Sequence, residues 1–141
     1  MYGFLSLVAR DVMVRPVISV SPDASLAELE HIFATHDFNG CPVVEGGHLT
    51  GIVTKLDFLK AFLFDTQSVV PPYETIIQKT VREVMVSTVV TVPEDRPLTR
   101  VLQMMVDLRT KAFPVVDAAG AVVGMIARED IARALRRSTV H

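Results

Sequence analysis

The sequence predicts an α/β (α+β) fold made of two β-α-β-β-α repeats packed with pseudo-two-fold symmetry. Three observations carry that reading. Blocks of residues recur once, in the same order, at a nearly constant offset. Within each copy, short β-rich runs alternate with stretches of helical apolar spacing. The 141 residues are 50% hydrophobic and 21% charged, which supports a packed core and argues against disorder.

The repeat is read directly from the residues. Arg10-Asp11-Val12-Met13-Val14 returns as Arg82-Glu83-Val84-Met85-Val86, 72 positions later. Ile18-Ser19-Val20 returns as Val90-Thr91-Val92, Leu26 as Leu98, and Pro42-Val43-Val44-Glu45 as Pro114-Val115-Val116-Asp117. Gly51-Ile52-Val53 matches Gly124-Met125-Ile126, and Asp57 matches Asp130, now at 73, so the second copy has one more residue near Gly120. The first repeat spans 8–64, the connector 65–79 and the second repeat 80–137.

Each copy opens on a β-rich run, Val17 to Val20 or Val89 to Val92. A helix start follows. Ser25-Leu26-Ala27-Glu28 has the form of a capping box, while Asp95-Arg96-Pro97 offers a cap and a proline suited to the first turn. The helices present Leu26, Leu29, Ile32 and Phe33, and Leu98, Val101, Leu102, Met105 and Leu108. Two hairpins come next, turning at Glu45-Gly46-Gly47-His48 and at Asp117 to Gly120. A last helix starts near Lys55 and near Arg128. One copy of roughly 60–70 residues is marginal alone, so the two are expected to share one core and to face each other across two related clefts.

Composition excludes several functions. A net charge of −2 argues against a general nucleic-acid binder. The single Cys41 precludes an internal disulfide and a cysteine zinc cluster, and a cytoplasmic setting fits it best. No apolar run approaches the roughly 18 residues of a membrane span, and the first ten residues do not read as a signal peptide. His31 and His36 are five apart, not the four that align two ligands on one helical face. Cys41, Met104 and Met105 read as core, and Arg133, Arg136 and Arg137 as a helix end that complements the dipole. No nucleophile–base pair or phosphate loop occurs, so no enzymatic activity is expected.

With these marks in place, the chain resembles the CBS (cystathionine β-synthase) domain family as a tandem pair of the free-standing bacterial type, from about Val8 to Arg137. The resemblance rests on the Asp-Val-Met and Glu-Val-Met openings, the Pro-Val-Val-Glu and Pro-Val-Val-Asp strands, and Gly51-Ile52-Val53-Thr54-Lys55-Leu56-Asp57. It implies a regulatory ligand-binding module that senses AMP, ADP, ATP or S-adenosylmethionine in an inter-repeat cleft and requires no cofactor. The alternative is a dimerisation or protein-interaction module with no occupied nucleotide site.

The richest segment is the strand that runs into a helix start at Thr54. Free N–H groups there favour an anion, Thr54 can donate to it, and the Asp57 carboxylate suits the vicinal diol of a ribose. Ile52 and Leu56 offer apolar contact to a flat base, and Lys55 lies between Thr54 and Leu56 in the motif. Thr54-x-x-Asp57 is also a capping box, and the two roles are compatible. The resemblance adds Arg96, Thr110 and Lys111 from the other repeat, the cations approaching phosphate. The second, weaker site comprises Met125, Ala127, Arg128 and Asp130 with Ala24, Phe38 and Asn39. Ala127 has no hydroxyl where the first copy has Thr54, and Ala24, Phe38 and Asn39 supply no cation.

The expected partners are a small adenosyl ligand, an unidentified regulated protein and a second copy of the chain. Leu56 to Phe64 is apolar on more than one face, so Phe58, Phe62 and Phe64 need a second surface. Either a partner subunit or the connector from Val69 to Ile77 covers them.

Overall fold

The computed structural model describes residues 2–15, 17–36, 40–63 and 73–138. Their elements are α1 (Tyr2–Leu5), α2 (Ala9–Val12), α3 (Leu26–Thr35), β1 (Gly40–Glu45), β2 (His48–Thr54), α4 (Lys55–Lys60), α5 (Tyr73–Ile76), β3 (Val92–Pro93), α6 (Leu98–Leu108), β4 (Ala112–Val116), β5 (Val122–Ala127) and α7 (Arg128–Ser138). A single 3₁₀ turn at Val81–Glu83 occupies in the second copy the place of α2 in the first.

The chain divides into two compact units, and these do not follow the repeat boundaries. One unit is Ile18–Val89; the other is Met1–Val17 with Val90–His141. Each repeat has therefore surrendered its leading segment to the other. In the unit built on the first repeat, the Val81 and Arg82 N–H groups donate to the Ala24 and Pro22 carbonyls, and Ile52 and Val86 exchange both backbone bonds at 2.9 Å. In the other, Ala9 and Arg10 donate to Arg96 and Glu94, and Val14 and Met125 pair in the same manner. Each borrowed segment thus satisfies backbone groups that the repeat itself leaves open.

Close approach is what permits this pairing. A Cβ on Gly51 would lie 2.7 Å from the Val86 carbonyl oxygen and 3.0 Å from Met85 Sδ. A Cβ on Gly124 would overlap Met13 Sδ and stand 2.8 Å from its Cγ. Glycine at these strand positions leaves room for the incoming methionine.

In the Ile18–Val89 unit, β1 and β2 form an antiparallel hairpin with a bulge between Val43 and Val44. The turn uses Gly46 and Gly47, whose φ of +59° and +81° suits glycine. Leu26, Leu29, Cys41, Val43, Val53, Ile76 and Val81 form the core. Ser25 caps α3 by accepting from the Glu28 N–H at 3.2 Å. Part of the connector folds as α5, which contributes Ile76; residues 64–72, Phe64 among them, lie outside the described residues.

In the other unit β4 is central, parallel to β3 and antiparallel to β5, with a bulge between Val115 and Val116. Asp117 Oδ1 accepts from the Ala119 and Ala121 N–H groups and closes the hairpin turn. Phe4, Val92, Leu98, Val101, Phe113, Val115, Ile126 and Ile131 are its core.

Several expectations change. Each unit has its own core, where one shared core was expected, because the borrowed segment supplies the missing apolar surface. The first strands are shorter than the β-rich runs: Val20 makes an isolated parallel bridge to Val43, and β3 is two residues long. Val90 is exposed and gains nothing by joining a sheet. Pro97 stands at the N-cap rather than inside the first turn, and Asp95 caps nothing. Leu108 is exposed at the end of α6, where Arg109 turns left-handed (φ 53°) and leads the chain away.

Candidate functional site

Two strand-to-helix junctions carry the sequence-predicted residues. In the first, β2 ends at Thr54 and α4 begins at Lys55. Thr54 keeps extended backbone angles (φ −105°, ψ 168°), as an N-cap residue does. The Asp57 N–H donates to Thr54 Oγ1 at 3.1 Å, and the Thr54 N–H donates to Asp57 Oδ2 at 2.9 Å. The reciprocal pair is a capping box.

The Thr54 hydroxyl also donates to Asp57 Oδ2, at 2.9 Å. Its proton is committed, and it presents only a lone pair to any ligand. The expectation that Thr54 donates to a phosphate therefore needs the hydroxyl to turn away from Asp57. In the ground state its effect is to orient the carboxylate.

Asp57 is 8% exposed. Its Oδ2 takes both Thr54 bonds, while its Oδ1 accepts no hydrogen bond among the described residues. No fully buried polar side-chain atom among them lacks a partner, so this oxygen reaches the surface as an open acceptor. Ile52 is half-buried and bridged to Val86, Lys55 is half-buried, and Leu56 is exposed.

In the second junction β5 ends at Ala127 and α7 begins at Arg128. The Ala127 N–H donates to Asp130 Oδ2 at 2.7 Å, as in the first copy, but without a hydroxyl beside it. Asp130 is 6% exposed, and its Oδ1 accepts from Arg133 Nη1 at 3.2 Å. Arg128 pairs with the adjacent Glu129 at 3.5 Å, both well exposed, so the pair contributes little. Met125 is held by its bridge to Val14.

The remaining candidates lie as follows. Arg96 precedes α6, is half-buried and donates to Met104 Sδ at 3.4 Å. Thr110 and Lys111 follow α6; the Thr110 hydroxyl donates to the Leu108 carbonyl at 3.4 Å, and the exposed Lys111 accepts the Arg128 N–H on its carbonyl at 2.9 Å. These three share a unit with Met125, Ala127, Arg128 and Asp130. Ala24 shares the other unit with Ile52, Thr54, Lys55, Leu56 and Asp57. Phe38 and Asn39 lie outside the described residues.

Sequence reasoning missed Arg133 as a partner of Asp130, although the i, i+3 spacing on a helix signals it. Of the two covers expected for the aromatic rings, the connector supplies one. Phe62 stacks on Tyr73 (5.6 Å, 18°) and meets Phe58 edge-on at 5.2 Å, so the connector covers that face. Within residues 56–63 the exposed large apolar residues are instead Leu56 (61%), Leu59 (59%) and Leu63 (76%).

Cys41 is fully buried and donates to the Ile18 carbonyl; burial pushes its thiol up to about 12. No metal-ligating group of three or more side chains occurs among the described residues, nor any helix long and apolar enough to cross a membrane.

Comparison with known proteins follows this geometry. A family model described as CBS domain matches residues 9–64 and 81–137. L-aspartate semialdehyde sulfurtransferase of Methanocaldococcus jannaschii is 33% identical over 88% of this chain and 22% of its own length. The 5'-AMP-activated protein kinase subunit gamma-3 of Bos taurus is 30% identical over 83% of this chain and 24% of its own. The chain thus spans less than a quarter of the length of these curated relatives. Among solved structures, the CBS domain pair of protein MJ0100, in complex with 5'-methylthioadenosine and S-adenosyl-L-methionine, is 30% identical with a TM-score of 0.77, covering 94% of this chain and 98% of that one.

Proposed function

Because the chain belongs to the CBS domain family, we propose that it is a regulatory, non-catalytic module that binds an adenosyl ligand. The observation that carries this reading is the likeness, over nearly the whole of both chains, to a domain pair solved with two adenosyl compounds. Asp57 supports it chemically. A buried carboxylate with one open oxygen is an acceptor suited to a ribose hydroxyl. Ile52 and Leu56 supply apolar contact for the base, with Lys55 beside them. Arg96, Thr110 and Lys111 are assigned to phosphate by the family pattern, not by geometry. AMP, ADP, ATP and S-adenosylmethionine are the candidate ligands, in a cytoplasmic setting. Binding energy biases one conformation, and a regulated protein reads the bias.

The test is a thermal-shift panel with those four ligands. At free ligand near 100 times Kd, the binder adds about 2.7 kcal/mol of stability. No shift with any of them at millimolar concentration overturns the reading and leaves the interaction-module alternative.

The module is also proposed to form a homodimer. Leu56 and Leu59, spaced i and i+3 on α4, and Leu63 in the turn just beyond it are exposed apolar side chains close together in sequence. Light scattering is expected to give twice the chain mass of 15.5 kDa, and Leu59→Asp to give the monomer. A wild-type monomer at high micromolar concentration overturns the dimer.

A further inference from the structure

Asp57 and Asp130 close the same repeated motif, yet their free oxygens have different fates. Asp57 Oδ1 accepts nothing among the described residues. Asp130 Oδ1 accepts from Arg133 Nη1 at 3.2 Å, and the Asp130 side chain is 6% exposed while the arginine side chain is 46% exposed. Lys60 stands in the first copy where Arg133 stands in the second, and no ion pair joins it to Asp57 among the described residues. The neighbouring cap residues differ as well. Thr54 holds Asp57 by two bonds to one oxygen, whereas Ala127 offers Asp130 only its N–H.

We propose that Arg133 is a resident occupant of the second motif: it takes the carboxylate oxygen a ligand hydroxyl would use, so the chain binds one adenosyl ligand, through Asp57. This rests on the adenosyl-ligand reading above. To enter the second motif, a ligand hydroxyl must replace or share a bond in which guanidinium and carboxylate are both charged, whereas its own bond to the carboxylate has one charged partner and is the weaker of the two. Arg133 is thus a specificity-determining residue that makes two near-identical motifs unequal.

Isothermal titration tests this with AMP and S-adenosylmethionine, on the wild type, Asp57→Ala, Arg133→Ala and the double variant Ala127→Thr/Arg133→Lys. The double variant restores first-copy chemistry and retains a cation, so it remains informative if Arg133→Ala folds poorly. The expected result is one ligand per wild-type chain, bound about 10- to 100-fold more weakly in Asp57→Ala. A second ligand, bound at least tenfold more tightly than any second event in the wild type, appears in Arg133→Ala or the double variant. Two ligands on the wild type, a single ligand whose affinity is unchanged in Asp57→Ala, or one ligand per chain in both Arg133 variants overturns the proposal. A wild type that binds neither compound removes the adenosyl reading itself, and this proposal with it.

Discussion

Replacing Asp57 by Ala and Thr54 by Ala separates holding the site from touching the ligand. Asp57→Ala removes both bonds to Oδ2, each 2.9 Å long, and leaves the Thr54 N–H without its acceptor. Loss of this half of the capping box costs about 1–2 kcal/mol of stability. It also removes the open Oδ1. A hydrogen bond to a charged acceptor contributes roughly 1.5–3 kcal/mol, so one lost ribose contact weakens binding about 10- to 100-fold. Thr54→Ala also removes a cap, with a similar stability loss of about 1 kcal/mol. Because the Thr54 proton already goes to Asp57, binding should stay within about threefold of wild type. Chemical denaturation gives the stabilities, and isothermal titration with AMP and S-adenosylmethionine gives the affinities. Equal affinity losses for the two variants would refute the reasoning, since the hydroxyl would then contact the ligand directly.

Gly51→Ala and Gly124→Ala test the borrowed-segment pairing. The first meets a backbone carbonyl at 2.7 Å and threatens both Ile52–Val86 bonds, so about 2–3 kcal/mol is expected by urea denaturation. The second first meets the thioether of a flexible methionine, so about 1 kcal/mol is expected, and a reversed order would count against the pairing. Cys41, buried and with its thiol pushed up to about 12, should be inert to a thiol reagent at pH 8 and react fully in denaturant; rapid native labelling would contradict its burial. The Tyr73 phenol donates to Glu30, and that bond raises its pKa above the ordinary 10.0. The unfolded chain releases this proton first, so the contribution is complete below pH 10 and is lost as pH rises through the higher folded value. Tyr73→Phe should reduce the alkaline sensitivity of the melting temperature, and an unchanged profile would show that the bond contributes nothing.

The repeat, its hairpins, the α3 cap at Ser25 and the capping box at Thr54 were legible in the sequence because each depends on residues a few positions apart. Periodicity placed Leu26, Leu29, Leu98 and Val101 in the core, where all four are fully buried. It also placed Asp57 and Asp130 at equivalent junctions. What it left open was partnership. The Asp-Val-Met and Glu-Val-Met segments are so alike that either has the pattern to pair with either strand edge. Only the folded chain decides that Val14 joins Met125 and Val86 joins Ile52, because which edge lies within reach depends on chain path rather than on local pattern. The same holds for the candidate site. The repeat places an aspartate in both motifs; the reach of one arginine decides which aspartate keeps an open oxygen. Hydrogen-bond competition at a buried carboxylate is settled in three dimensions, among groups a few ångströms apart, and two copies of one motif can settle it differently.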